Sequence, residues 1–292
     1  MAIINNREKR IKIAKETLEI LDNGFYINGN GDKIDIKDDM DYSISNSVLY
    51  KPDFPEKIKI TVKELLNKNK DRKCLIEVTG ETTIAASLRL VNQEAIEDTA
   101  CLNFASAKNP GGGFLTGSQA QEESLARSSG LYPCISQMSE MYEYNRNNRT
   151  CLYSDYMIYS PKVPFIRYDN GKFMDKPVLI SVITAPAVNA GIVMQRSWED
   201  QGKIGDVMVE RIRKILSVAA VNKCRAIVLG AFGCGVFKNK PEDVAGYFER
   251  VLFKEGYNVL FDRIVFAVYE IGEDKKNFNI FNKVFSDIKS QR

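Results

Sequence analysis

The chain has 292 residues, 44% hydrophobic and 27% charged, which is enough apolar material to bury a full core and ordinary for a globular protein. Its formal net charge of +3 is small for this length and gives no support to a nucleic-acid partner, which would want a clustered basic face. It has no histidine, so the commonest metal ligand and commonest general base are excluded, and acid–base work falls to Asp, Glu, Lys, Tyr or Cys.

Residues 5–23 read as a helix, with Ile11, Ala14, Leu18 and Leu21 at helical spacing and Gly24 closing it. Residues 25–36 read as a hairpin around Asn28-Gly29-Asn30-Gly31. The polar, turn-rich stretch 37–55 reads as a connector. Residues 1–55 are therefore expected to be an extension packed on the core, and 56–292 the main domain. From Glu56 the grammar alternates: a helix over 58–67, a strand over 74–78, a helix over 82–95, a strand over 100–105, and a helix opening at Glu122. Residues 132–148 read as an irregular, tyrosine-rich helix. Val178 to Thr184 is a continuous apolar run, the pattern of a strand buried on both faces. A long amphipathic helix follows over 198–222, then a buried strand over 226–229. A helix over 241–255 carries Pro241 in its first turn, and a strand over 264–268 precedes a closing helix over 275–289. Such alternation predicts an α/β fold, a sheet layered between helices.

The first ten residues are polar with no apolar run behind them, so no signal peptide is expected. No apolar stretch reaches the about 18 residues of a membrane helix, so a cytoplasmic protein without a membrane partner is expected. None of the six cysteines forms a Cys-x-x-Cys pair, and neither a zinc site nor any other metal or cofactor is expected. Cys74, Cys101 and Cys224 lie at or beside apolar, strand-like runs and read as buried reduced thiols.

The chemistry concentrates in two segments. Asn109-Pro110-Gly111-Gly112-Gly113 follows the strand over 100–105, and seven residues later comes Gln121-Glu122-Glu123. Three glycines in a row make a poor helix or strand interior but a good platform where backbone must lie against a ligand. Two adjacent carboxylates bring acid chemistry to the same loop. The second segment, Gly230 to Phe237, follows the strand over 226–229 and contains Gly233-Cys234-Gly235-Val236-Phe237. In open α/β sheets ligands sit beyond the carboxyl ends of the strands, and glycine-rich loops there present backbone N–H groups to anions. Each feature has a plainer alternative. The second loop also suits a tight strand-to-helix turn, and first-turn glutamates also suit the helix dipole alone. A first-turn position lowers a carboxyl pKa where a general acid wants it raised, and burial or a neighbouring carboxylate would restore it.

The run Leu102-Asn103-Phe104-Ala105-Ser106-Ala107-Lys108-Asn109-Pro110-Gly111-Gly112-Gly113, with Gln121-Glu122-Glu123-Ser124-Leu125 after it, resembles the signature of poly(ADP-ribose) glycohydrolases. It looks most like the short bacterial-type branch, and Gly230 to Phe237 is similar to that branch's diphosphate loop. The resemblance runs from about Lys73 to Val268. It implies a macrodomain-like fold: a mixed, mostly parallel sheet sandwiched between helices, with a helical N-terminal extension. It also implies hydrolysis of the ribose–ribose O-glycosidic bond of poly(ADP-ribose), with ADP-ribose bound at the strand ends. Carried over by position, Glu123 is the catalytic acid, protonating the leaving ribose 2′ oxygen and then taking a proton from the attacking water. Glu122 holds ribose hydroxyls. Asn103 and the backbone of Gly111, Gly112 and Gly113 shape the distal ribose pocket, with Asn109 and Gln121 in the same motif. Gly233, Cys234, Gly235 and Val236 cradle the diphosphate, and Phe237 packs on the ribose. Ser106 stands where many macrodomains carry Asn.

Other features have two readings each. Val78 to Thr83 lines the adenine pocket, or Thr merely caps a helix. Val188-Asn189 closes the cleft, or is a plain turn. Tyr132, Tyr142 and Tyr144 stack adenine, or belong to an amphipathic surface helix. Trp198 reads as structural. Two rival functions stay open at this stage: a binding module that reads ADP-ribose without cleaving it, and a hydrolase of another ADP-ribose linkage.

Overall fold

The computed structural model describes residues 4, 6–196 and 198–289. Helix α1 (Arg7–Asn23) starts at Asn6, whose side chain accepts the Lys9 N–H, and ends at Gly24 in the left-handed conformation. The expected first residue of this helix, Asn5, lies outside the described residues. Strands β1 (Phe25–Ile27) and β2 (Lys33–Asp35) form the expected antiparallel hairpin. The stretch 37–55 is not the expected connector. It holds helix α2 (Lys37–Ser45) and strand β3 (Val48–Tyr50). Of α2 only Met40 and Ser43 are buried, so its solvent face gave the segment a turn-like composition.

Next come α3 (Glu56–Lys68), β4 (Leu75–Thr79), α4 (Thr83–Asn92) and β5 (Thr99–Phe104), all near their expected places. After the triple-glycine loop stand α5 (Gln121–Ser128), α6 (Leu131–Ser136) and α7 (Ser139–Asn147); the tyrosine-rich stretch is thus two helices. Strand β6 (Met157–Arg167) had no expected counterpart, and its partner β7 (Phe173–Ala185) is longer than the apolar run suggested. Pro161 and Pro164 in β6 and Pro177 in β7 disguise the pair, because proline cannot donate to a ladder. The sheet absorbs β6's prolines with register shifts between Ser160/Val163 and Phe165/Arg167, which bend the hairpin. The remainder is α8 (Ala190–Arg196), α9 (Trp198–Gln201), α10 (Ile204–Val221), β8 (Ala226–Leu229), α11 (Pro241–Glu249), β9 (Arg263–Ala267) and α12 (Lys276–Lys289). The expected helix over 198–222 is broken, and a π turn over 250–254 ends the expected helix over 241–255. Trp198 is 82% exposed and anchors no core, contrary to its structural reading.

The main sheet has seven strands in the order β3-β6-β7-β5-β8-β9-β4. Neighbours from β7 through β4 are parallel, while β6 runs antiparallel to both β7 and β3. Alternate residues feed the two faces, as the strand period of two requires. Leu102, Ile183, Ile227 and Leu229 join the core cluster beneath α10 and α11. Cys101, Val182 and Val228 join the cluster on the opposite face with Leu88 and Leu125. This is the layered, mostly parallel α/β architecture that the sequence predicts. No helix of the described residues is long and apolar enough to cross a membrane.

Candidate active site

The parallel strands all point their carboxyl ends at one cleft of about 730 Å³. Thr82 and Thr83 follow β4, Ser106 and Asn109 follow β5, and Ala187 follows β7. Ala231 to Phe237 follow β8, and Val268, Tyr269 and Ile271 follow β9. The two glycine-rich loops therefore face one another across a single cavity.

Glu122 and Glu123 open α5, one behind the other. Glu122 is 3% exposed. Its Oε2 accepts the Ser106 N–H at 2.7 Å and its Oε1 accepts the Asn103 amide at 3.2 Å. Burial pushes its carboxyl up to about 8; the charge of Glu123 adds to the rise, and the donors from Ser106 and Asn103 oppose it. Glu123 is half-buried at the cleft wall, and its Oε1 accepts the Gly113 N–H at 3.0 Å. Gly112 packs flat against both acids. A Cβ there would sit 2.4 Å from Glu123 Oε1 and 3.2 Å from Glu122 Oε2, and φ is +58°. Gly111, at φ +71°, turns the chain over Phe114 and Tyr132. The glycine platform is thus built against the carboxylates.

Other sequence-predicted residues brace the wall. Asn103, fully buried on β5, lies outside the cleft lining; its amide bridges Glu122 and Thr184 Oγ1, and its Oδ1 has no partner. Gly111 is likewise not part of the wall. Gln121 lines the cleft, but its amide braces the end of β5, accepting the Phe104 N–H and donating to the Leu102 carbonyl and Thr83 Oγ1. The Ser106 hydroxyl accepts the Lys108 and Asn109 N–H groups, shaping the turn. Asn109 is exposed, with its carbonyl receiving the Gly112 N–H.

On the facing loop, Gly233 adopts φ +76°, and a Cβ would lie 2.5 Å from Ala187 Cβ and 2.6 Å from Asn239 Nδ2. A Cβ on Gly235 would meet nothing within 4 Å, so its backbone is open to the cleft. Val236 is exposed, and Phe237 leans on Tyr153 with ring centroids 5.8 Å apart. Burial pushes the Cys234 thiol up to about 12, which disfavours the thiolate.

The family profile of the microbial-type PARG (poly(ADP-ribose) glycohydrolase) catalytic domain matches residues 14–168. Among solved structures, the poly(ADP-ribose) glycohydrolase of Thermomonospora curvata bound to the inhibitor ADP-HPD superposes with a TM-score of 0.84 at 40% identity, covering 94% of this chain and 99% of that one. The poly(ADP-ribose) glycohydrolase of Deinococcus radiodurans in complex with ADP-ribose superposes with a TM-score of 0.78 at 40% identity, covering 85% of this chain and 98% of that one. No curated protein matches. The chain belongs to the microbial-type poly(ADP-ribose) glycohydrolase family.

Within this glycohydrolase fold, several residues at the cleft escaped sequence reasoning. Asp169, in the turn of the β6/β7 hairpin, lines the cleft and accepts the Thr82 hydroxyl at 2.7 Å. Thr82 Oγ1 also accepts the Ala85 N–H, so the helix cap and the cleft wall are one residue. Asp169-Asn170-Gly171 reads as turn chemistry in sequence, which masks it. Asn239 is buried and donates to the Val188 and Gly233 carbonyls, stapling the second loop to the end of β7. Tyr269 and Ile271 were findable from the rule that ligands sit beyond parallel strand ends. Tyr132, Tyr142 and Tyr144 are absent from the lining; Tyr142 is core, Tyr132 packs on Phe114, and Tyr144 on Tyr156. Asn189 accepts the Ile192 N–H at the start of α8, as a turn residue does.

Proposed function

We propose that this chain hydrolyses the ribose–ribose O-glycosidic bonds of poly(ADP-ribose) and releases ADP-ribose, with Glu123 as general acid and base. One observation carries the assignment: a reachable carboxylate, backed by flat glycine backbone, shares a cavity with the Gly233–Phe237 loop. That loop offers backbone to a pyrophosphate, and anchoring there orients the distal ribose toward Glu123. Glu123 protonates the leaving 2′ oxygen as the anomeric carbon gains oxocarbenium character. It then accepts a proton from the water that attacks that carbon. Glu122 receives the ribose hydroxyls, and the Asn103 amide and Ser106 N–H hold it in place. A cytoplasmic site of action is part of this proposal.

The raised pKa of Glu122 favours a second assignment, in which it is the acid, because a general acid must hold its proton near neutral pH. Geometry favours Glu123 instead: both Glu122 oxygens already accept protein donors, from Ser106 and Asn103, while Glu123 holds one N–H bond to Gly113 at the cleft wall. Incubation with labelled poly(ADP-ribose) tests the point. Wild type releases ADP-ribose, and Glu123→Gln loses about 10²–10⁴-fold in kcat, the usual worth of a positioned acid. Equal release by both proteins removes Glu123 from its role. Tight binding without release by either favours a silent reader.

A further inference from the structure

The cleft has an electrostatic peculiarity. Among the described residues three carboxyl groups line it, Glu122, Glu123 and Asp169, and no lysine or arginine does. Yet its substrate is a polyanion with a pyrophosphate in every unit. Backbone N–H groups of the second loop suffice for the terminal pyrophosphate. The next unit, attached through the leaving 2′ oxygen, lies beyond the cleft and out of that loop's reach. Its charge must be met outside the cleft lining.

Two cations sit on or against the loop that follows β5 and borders the cleft. Lys108 lies between Ser106 and Asn109, both of which line the cleft. Arg146, on α7, reaches over and donates from Nη1 to the Lys108 carbonyl at 2.8 Å, using one of the five N–H donors of its guanidinium. Arg146 is exposed, Lys108 is partly so, and among the described residues neither forms an ion pair. The same loop also reaches Glu123 on α5: the Asn109 carbonyl accepts the Gly112 N–H at 3.0 Å, and the Gly113 N–H donates to Glu123. Arg7 and Arg10 hold the Thr116 and Gly117 carbonyls, but those two residues lie outside the cleft wall.

We propose that Lys108 and Arg146 form a second anion subsite, which binds the pyrophosphate of the penultimate ADP-ribose unit. The subsite rests on the glycohydrolase reading and gives it a preference for polymer over single ADP-ribose. Arg146 supplies a planar fork suited to phosphate oxygens, and Lys108 a mobile point charge.

The test is binding in a Glu123→Gln background, with free ADP-ribose and a two-unit ADP-ribose oligomer as probes. The oligomer binds more tightly than ADP-ribose. Combined Lys108→Gln and Arg146→Gln weakens oligomer binding by about five- to tenfold, the scale of two exposed charge contacts, and leaves ADP-ribose within about twofold. The salt dependence of oligomer binding becomes shallower in the double variant. Lys108→Gln alone keeps the carbonyl that Arg146 grips, so a partial loss there shows that charge is responsible and not a deformed loop. The subsite is overturned if both probes weaken equally, if neither weakens, or if Arg7→Gln reproduces the effect. Hydrolysis of polymer by the wild type, scored separately, decides the glycohydrolase reading whatever the binding result.

Discussion

At the scale of single residues, neighbouring glutamates acquire different chemistry from different burial. Enclosure pushes the Glu122 carboxyl up to about 8, while an unfolded glutamate releases its proton near 4.3. Between those values the folded chain binds more protons than the unfolded one, so this group makes stability fall as pH rises. Glu122→Gln removes that dependence. Urea melts will show the variant gaining on wild type by up to roughly 1.4 kcal/mol per pH unit between pH 5 and 8, with no gain below pH 4. A gap that stays constant with pH would mean that Glu122 is ionised in the fold. Gly112 is the second residue-scale lever. Gly112→Ala forces a Cβ into the space of Glu123 Oε1 at a positive φ. The strain costs about 1–2 kcal/mol of stability, and the displaced carboxylate costs on the order of 10²-fold in kcat. Comparison of melting temperature with turnover separates the two effects.

At the scale of elements, side chains replace backbone partners where the sheet ends. The Gln121 amide caps β5 by bonding the Phe104 N–H and the Leu102 carbonyl, and so fixes α5 and its two acids against the strand. Gln121→Ala leaves those backbone groups unpaired and is expected to cost about 1–3 kcal/mol in chemical denaturation, with a parallel loss of turnover. The sequence made the glycine loops and the Gln-Glu-Glu run legible, because φ above zero and close approach demand glycine locally. It also made the parallel strands legible, because burial on both faces leaves unbroken apolar runs. The β6/β7 hairpin was hidden by prolines that only a bulged pairing tolerates. Asp169 was hidden with it, since a turn residue becomes a cleft residue only when the hairpin bends back to Thr82.

At the scale of the whole molecule, the N-terminal elements α1 and β3 support the cleft from outside the sheet's centre. Ala14 of α1 packs on Phe114 and Ala126, and the Thr17 hydroxyl donates to the Arg127 carbonyl. A Cβ on Gly117 would lie 2.8 Å from the Arg7 carbonyl, so α1 and the loop after the triple glycine touch backbone to backbone. Strand β3 supplies the sheet's edge. We propose that 1–55 is an extension inseparable from 56–292. A chain beginning at residue 56 is expected to show no cooperative melt and no ADP-ribose binding, by calorimetry against the full chain; a native-like melt with intact binding would make the extension dispensable.

The sequence by itself determined the alternation of strands and helices, the two side-chain-free loops at strand ends, and the pair of acids, because each follows from local backbone and hydrophobic requirements. Only the tertiary structure decided which acid is enclosed and which is presented, what Gln121 and Asn239 hold, and that no lysine or arginine among the described residues lines the cleft. Those properties depend on burial and on partners far apart in the chain, and neither is written in the spacing of neighbouring residues.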